Sequence, residues 1–124
     1  MLSNELTLHV TFKRQVVAYK RHFLDFYVEQ ADKVQAKNEW TLKLIQVPRQ
    51  VPEKYFAHVE GTKGLYEIRV EHGNNIYMIF SFFDRGNLVV LGNAFQKKTQ
   101  KTPKNEIEKA LLIMKEYNNE KESK

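Results

Sequence analysis

The sequence contains no cysteine among its 124 residues. Disulfides and thiolate chemistry are therefore excluded, and such a chain fits a reducing cytoplasm. Long apolar runs are also missing, since no segment approaches the roughly 20 apolar residues of a membrane helix. The N-terminus lacks the apolar stretch of a signal peptide as well. These absences predict a cytoplasmic protein with no membrane partner.

Familiar catalytic and metal-binding motifs are absent too. The sequence has no HExxH, CxxC or GxSxG motif and no glycine-rich phosphate loop. Its four histidines are scattered without the spacing of metal ligands. We therefore expect no metal and no cofactor, and zinc, kinase and acyl-transfer chemistries lose support.

Positive charge is in modest excess. Twenty Lys and Arg residues against 15 Asp and Glu residues give a formal net charge of +5. This balance favours an anionic partner such as nucleic acid or an acidic protein, although many soluble domains are mildly basic. A chain of this length holds one core, so we expect a single domain over residues 1–124 with a frayed tail at 118–124.

The stretch 61–101 organises the predicted fold. It contains three runs rich in β-branched and aromatic residues, at 65–70, 76–83 and 88–95. The sequences HGNN and DRGN separate these runs, and both are typical of hairpin turns. We predict an antiparallel three-stranded meander that ends in a basic segment, 96–101.

Two-residue loops fix a register for this meander. A loop at Gly73-Asn74 places Arg69 opposite Met78, and Glu67 opposite Phe80. A loop at Arg85-Gly86 places Met78 opposite Asn93. Because directly opposed residues share a sheet face, one face is predicted to carry Glu67, Arg69, Met78 and Asn93. The other face is predicted to carry Tyr66, Ile68, Val70, Tyr77 and Ile79.

The flanking segments show strand and helix patterns. Residues 6–12 alternate as in a short strand that extends toward 16–19, and its place in the sheet stays open. An apolar stripe from Phe23 onward predicts one helix over 21–46 or two helices broken near Ala31-Asp32. Trp40 is assigned to the core or to a helix–sheet contact, in preference to a role as a base-stacking residue. Thr102-Pro103 is interpreted as N-cap and first residue of an amphipathic C-terminal helix.

The cations of the meander and its basic segment suit a phosphodiester. Arg69, Lys97, Lys98 and Lys101 can bind backbone phosphates and stabilise the added charge of a pentacovalent transition state. RNA supplies its own nucleophile, the 2′-hydroxyl, so little more than positioning and a proton acceptor is needed. The alternative is that the basic segment is a solvated turn before a helix, which is the commoner role of a charge run.

Four blocks of the sequence together resemble a known toxin family. They are GLYEIRV (64–70), YMIF (77–80), LVVL (88–91) and FQKKTQKTPKNEIEKA (95–110). This pattern resembles the HigB branch of the RelE/ParE toxins, the toxin halves of bacterial type II toxin–antitoxin pairs. The resemblance implies an α+β, RelE-like (microbial-ribonuclease-like) fold, with an antiparallel meander packed against an N-terminal helical pair and a C-terminal helix. It also implies ribosome-dependent cleavage of mRNA and silencing by a cognate helix-turn-helix antitoxin.

The resemblance also implies functional positions. Arg69, Lys97 and Lys98 match catalytic positions of the RNA-facing surface, and Lys101, Lys63 and Asn93 are expected RNA contacts. Glu67, beside Arg69, either accepts a proton or pairs with Arg69, and we prefer the pair.

Met78 departs from the family pattern, which has an arginine there that acts on the scissile phosphate. Methionine carries no charge and donates no hydrogen bonds. Three hypotheses therefore stay open: an active endoribonuclease in which Arg69 takes over the role, a weakened or inactive protein that acts by binding antitoxin or nucleic acid, and a ParE-like inhibitor of DNA gyrase. Met78 is either natural or a detoxifying substitution. Asn93, where related toxins often have histidine, puts histidine-based proton transfer in doubt.

Overall fold

Residues 12–123 are described by the computed structural model, and they form an α+β fold. The elements in chain order are β1 (Gln15–Ala18), α1 (His22–Val28), α2 (Asp32–Gln46), β2 (Phe56–His58), β3 (Leu65–His72), β4 (Asn75–Phe83), β5 (Leu88–Lys97) and α3 (Lys104–Glu122). The five strands form one sheet in the order β1-β5-β4-β3-β2. Strand β1 runs parallel to β5, whereas all other neighbours are antiparallel. The expected fold class is confirmed.

The helical pair follows the broken-helix prediction. Helix α1 ends at Val28, and α2 begins at Asp32 after Ala31 adopts an extended backbone (φ −63°, ψ 155°). The N-terminal strand lies at 15–18, within the predicted extension. The core of that strand prediction, 6–11, lies outside the described residues. No helix among residues 12–123 is long and apolar enough to cross a membrane.

The register of the first hairpin is as predicted, but the second hairpin differs. Arg69 lies opposite Met78, and the loop at Gly73-Asn74 has the positive φ of 61° at Gly73 that a tight turn needs. In the second hairpin the Asp84 N–H donates to the Leu88 carbonyl oxygen at 2.8 Å, which closes a three-residue loop.

A bulge adds a second shift to this hairpin. The pairing changes between Ile79 and Ser81, where β5 contributes one extra residue. Met78 therefore lies opposite Phe95, and the predicted pairing with Asn93 is wrong. The three-residue loop and the bulge each shift the register by one residue. Together they leave the assignment of side chains to the two sheet faces as predicted, so Asn93 still points to the same face as Met78.

The helices cover the two faces of the sheet unequally. Helices α1 and α2 pack on the face that carries Ile68, Val70 and Ile79, and these three side chains are fully buried. Helix α3 packs on the opposite face, which we call the α3 face, over Phe80 and Phe82. The short strand β2, which the sequence analysis did not predict, pairs with β3 and forms one edge of the sheet.

Helix α3 departs from the prediction at both ends. It begins at Lys104 with Pro103 as N-cap and without a side-chain capping bond, so Thr102 is not the cap. Residues 118–122 are helical rather than frayed. The reason is that their side chains are held by other elements: Lys121 pairs with Asp84, and Lys20 lies 3.4 Å from Glu120.

Candidate functional site

Helix α3 leaves one end of the α3 face open. The strands alternate, so Glu67, Arg69 and Glu71 point to this face from β3. Ile76 on β4 pairs with both Glu71 and Lys97, which brings the end of β5 beside them. At the covered end the same strands carry Leu65, Phe80 and Phe95 against α3. The polar residues therefore cluster where the helix no longer shields the sheet.

Three of the predicted catalytic residues meet at this open end. Arg69, Lys97 and Lys98 line one concavity of about 500 Å³ together with Ile76, Thr99 and Gln100. Strand β5 carries Lys97, and Lys98 follows directly after the strand ends. The concavity is a shallow, cationic surface of the kind that can hold a phosphate and leave room for a chain on either side.

Arg69 pairs with Glu71, and the preferred pairing with Glu67 is wrong. The Arg69 Nε donates to Glu71 Oε2 at 2.7 Å, and Lys54 Nζ lies 3.6 Å from Glu71 Oε1. The hydrogen bond from Arg69 holds the pKa of Glu71 below its usual range. Only Nε of Arg69 is engaged among the described contacts, so its two terminal nitrogens are available to a ligand.

Glu67 is left as a half-buried carboxylate beside two cations. It forms no hydrogen bond or ion pair within residues 12–123, and it lines a cavity of about 210 Å³ with Arg69 and Lys54. Burial raises the pKa of Glu67, while Lys97 and Arg69 nearby oppose the rise. A carboxyl group that has a raised pKa and no hydrogen-bond partner is well suited to accept a proton.

Two predicted site residues lie beneath the surface. Met78 is 1% exposed and Asn93 is 2% exposed. The Asn93 Nδ2 donates to the Glu106 carbonyl oxygen and to Glu106 Oε1, both at 3.1 Å, so Asn93 holds the start of α3 against the sheet. We therefore remove Asn93 from the candidate RNA contacts. Met78 lies directly across from Arg69 on β4, and its side chain is buried.

The two remaining predicted contacts are exposed but lie outside the concavity. Lys101 follows it by a few residues, and its carbonyl oxygen accepts a bond from Thr99 Oγ1 at 2.8 Å. Lys63 lies in the loop between β2 and β3, before Leu65. Arg69 is four positions beyond Leu65, which is roughly 13 Å along a strand. Lys63 is therefore not part of the same cluster.

Sequence reasoning missed Glu71 and Lys54. The signal for Glu71 was available, because it lies two residues beyond Arg69 and must share its face. No local signal identified Lys54, since it reaches the site only through the unpredicted pairing of β2 with β3. Among residues 12–123, no group of three or more His, Cys, Asp or Glu side chains is placed to hold a metal ion.

Comparison with known proteins identifies the family. The family model of the phage-derived Gp49-like proteins (DUF891) matches residues 25–115, which is most of the chain. The search of curated proteins found no significant match. The matched region includes the end of α1, all of α2, the open end of the α3 face and most of α3. The chain belongs to the Gp49-like family of phage-derived proteins, which is part of the RelE-like toxin superfamily of toxin–antitoxin systems.

Proposed function

We propose that this protein is a cytoplasmic, HigB-like endoribonuclease toxin that cleaves mRNA on the ribosome and is silenced by a helix-turn-helix antitoxin. Membership of a toxin-like family supports the toxin role and an antitoxin partner in general. The observation that carries the ribonuclease proposal is the concavity in which Arg69, Lys97 and Lys98 converge beside Glu67. A cationic cradle next to a proton acceptor is what transfer of a phosphodiester to an internal hydroxyl requires.

The proposed reaction uses the 2′-hydroxyl of RNA as nucleophile. Glu67 accepts the proton from this hydroxyl, and the 2′ oxygen forms a bond to the adjacent phosphorus. The bond from phosphorus to the 5′ oxygen breaks, and that oxygen leaves as a hydroxyl after taking a proton from solvent. The products are a 2′,3′-cyclic phosphate and a 5′-hydroxyl end.

The cations act on the phosphate during this step. The two terminal nitrogens of Arg69 can make a bidentate contact with the non-bridging oxygens, a geometry that guanidinium favours. Lys97 and Lys98 add positive charge from the other side of the concavity. One preorganised charge contact of this kind is commonly worth about 10²–10³-fold in rate.

The buried Met78 favours a second candidate, a weakened toxin that acts mainly by binding its antitoxin or RNA. Methionine at this position is 1% exposed and adds no positive charge to the site. In the pair of opposed residues Arg69 and Met78, Arg69 is therefore the one cation. A protein that lacks the arginine implied by the resemblance to HigB toxins would retain the binding surface but lose rate.

The experiment is cleavage of mRNA on purified translating ribosomes. We expect the protein to cut, the Arg69→Ala variant to cut about 10²–10³-fold more slowly, and the matched control Lys109→Ala, exposed on α3, to cut at the original rate. If the protein does not cut but a Met78→Arg variant does, the weakened-toxin candidate is correct. Growth arrest without cleavage by either protein contradicts both and favours a protein target such as DNA gyrase.

A further inference from the structure

Trp40 lies on the surface, contrary to the expectation that it packs in the core. Its side chain is 48% exposed on α2, and it is the one tryptophan of the chain. Exposing this much of an indole ring to water is unfavourable, because large aromatic side chains gain most from burial. An exposed tryptophan with organised surroundings indicates a contact surface rather than a packing residue.

Aromatic and positively charged side chains surround Trp40. The Trp40 ring contacts Tyr55 edge-on, with centroids 6.2 Å apart and planes at 74°. Lys37 Nζ lies 4.1 Å from the Trp40 ring centroid, and Lys54 Nζ lies 5.6 Å from the centroid of Tyr55. We call these four residues the Trp40 cluster. Two aromatic rings thus stand beside two ammonium groups on one surface.

The Trp40 cluster is continuous with the open end of the α3 face. The Tyr55 carbonyl oxygen accepts a hydrogen bond from the backbone N–H of Arg69 at 3.0 Å, which places Tyr55 next to β3. Lys54 contacts both regions, because its ammonium group also pairs with Glu71 at 3.6 Å. A chain leaving the concavity at Arg69 therefore meets Lys54, then Tyr55 and then Trp40 as it crosses the β2 edge of the sheet.

Acidic side chains also lie near the Trp40 cluster: Glu53, Glu67 and Glu71 line a cavity with Lys54, and Glu71 is paired with both Lys54 and Arg69. Glu39, which precedes Trp40, accepts a hydrogen bond from the Tyr27 hydroxyl at 2.7 Å and is directed toward α1. Lys37 and Lys54 are the charges that face the two rings. Aromatic faces interleaved with ammonium groups suit single-stranded nucleic acid, because bases stack on the rings while the cations contact phosphates.

We propose that the Trp40 cluster is a base-stacking subsite for single-stranded RNA, which extends the candidate cleavage site around the β2 edge of the sheet. The proposal rests on the proposed ribonuclease function for the identity of the ligand. A nucleotide at some distance from the cleaved bond stacks on Trp40, and Lys54 holds the backbone between this subsite and Arg69. The subsite fixes the path of the RNA and takes no part in the chemical step.

The test is fluorescence, since Trp40 is the sole indole reporter. The probe is a short single-stranded oligoribonucleotide with 2′-O-methyl groups, which binds but cannot be cleaved. We expect it to quench the fluorescence of the unmodified protein. Measured by anisotropy of labelled probe, Trp40→Ala is expected to lower affinity about tenfold. Trp40→Phe keeps an aromatic face and retains most of the affinity.

Val28→Ala, at another exposed apolar residue, is the matched control and should leave affinity unchanged. Tight probe binding with no quenching and no effect of Trp40→Ala overturns the subsite but leaves the ribonuclease proposal intact. No binding of the probe to any form, including the unmodified protein, overturns the subsite, and the ribosomal cleavage assay then tests the ribonuclease proposal separately. Quenching by the antitoxin but not by the probe identifies the cluster as a protein-docking surface and overturns the RNA proposal. If Trp40→Ala does not fold, the fluorescence of the unmodified protein tests the subsite alone: quenching by the probe supports it, and binding without quenching overturns it.

Discussion

Arg69 binds Glu71, two residues further along β3, and not Glu67. The pair is between partly exposed side chains, at 32% and 34% exposure, so its contribution to stability is small. Its effect on the site is larger. The pairing fixes the direction of the guanidinium and leaves Glu67 without a partner among the described residues, beside the cationic concavity.

The first prediction concerns Glu67. Replacing it as Glu67→Gln removes the proposed proton acceptor with little change in shape, so cleavage is expected to fall about 10²-fold. The pKa of Glu67 is raised above its ordinary value of 4.5. Because the acceptor works only when ionised, the rate of the unmodified protein should rise with pH through that raised pKa and then level off.

The measurement is the pH dependence of mRNA cleavage. Glu67→Gln should lose the acidic limb of the profile, whereas the control Glu71→Gln should retain it, since the pKa of Glu71 is lowered and its role is to orient Arg69. An acidic limb that persists unchanged in Glu67→Gln assigns the titration to another group.

The second prediction concerns Met78. A Met78→Arg side chain cannot leave its charge in a site that is 1% exposed, so it must extend toward the concavity beside Arg69. We expect cleavage to rise by about tenfold or more from the added phosphate contact. We also expect a loss of about 1–3 kcal/mol in the free energy of unfolding, from overpacking around the buried position 78.

Chemical denaturation and ribosomal cleavage assays measure the two effects. Met78→Leu conserves the volume and should cost under about 1.5 kcal/mol with no gain in rate. A Met78→Arg variant that is destabilised but no faster shows that the guanidinium does not reach the substrate.

The third prediction separates a structural role of Asn93 from RNA binding. Asn93→Ala removes two hydrogen bonds to Glu106 and should lower the free energy of unfolding by about 1–3 kcal/mol. Affinity for the uncleavable oligoribonucleotide should not change. Asn105→Ala, exposed in the first turn of α3, is the control and should stay within about 0.5 kcal/mol. Reduced affinity for the oligoribonucleotide at unchanged stability would show that Asn93 contacts RNA.

The fourth prediction concerns the anchoring of α3 and its pH dependence. Lys121 and Tyr117 bind Asp84 through its two carboxylate oxygens, with 2.5 Å from the Tyr117 hydroxyl to Oδ2. The bonds from Lys121 and Tyr117 hold the pKa of Asp84 below its ordinary value of 3.8. A carboxyl group with a depressed folded-state pKa stabilises the fold above its unfolded pKa, and this contribution is lost as pH falls through the folded-state value.

Thermal melts of Asp84→Asn test this anchoring. The variant should melt lower than the unmodified protein at neutral pH, and the gap should close in acid as the pH falls through the lowered folded-state pKa of Asp84. Asp25→Asn removes only an exposed pair with Arg21 and should have almost no effect. A gap that is the same at acid and neutral pH rules out the charge of Asp84 as its source.

The meander, the C-terminal helix and the helical character of residues 21–46 were predictable from the sequence, which left one helix or two open there. Turn residues and the two-residue alternation of apolar side chains are local signals, and they sufficed to place Glu67 and Arg69 on the same face as Met78 and to pair Arg69 with Met78. The apolar spacing at Phe23, Phe26 and Tyr27 identified the buried side of α1 in the same way.

Tertiary structure alone decided which of these residues are accessible. Alternation assigns a side chain to a face, but burial depends on what packs over that face, and α3 covers Asn93 while it leaves Arg69 and Lys97 open. The bulge in β5 and the added strand β2 have no clear local signal, because both depend on pairing between distant segments. The same pairing brings Tyr55 and Lys54 between Arg69 and Trp40, so the chain's local pattern determined the sheet, and packing determined the site.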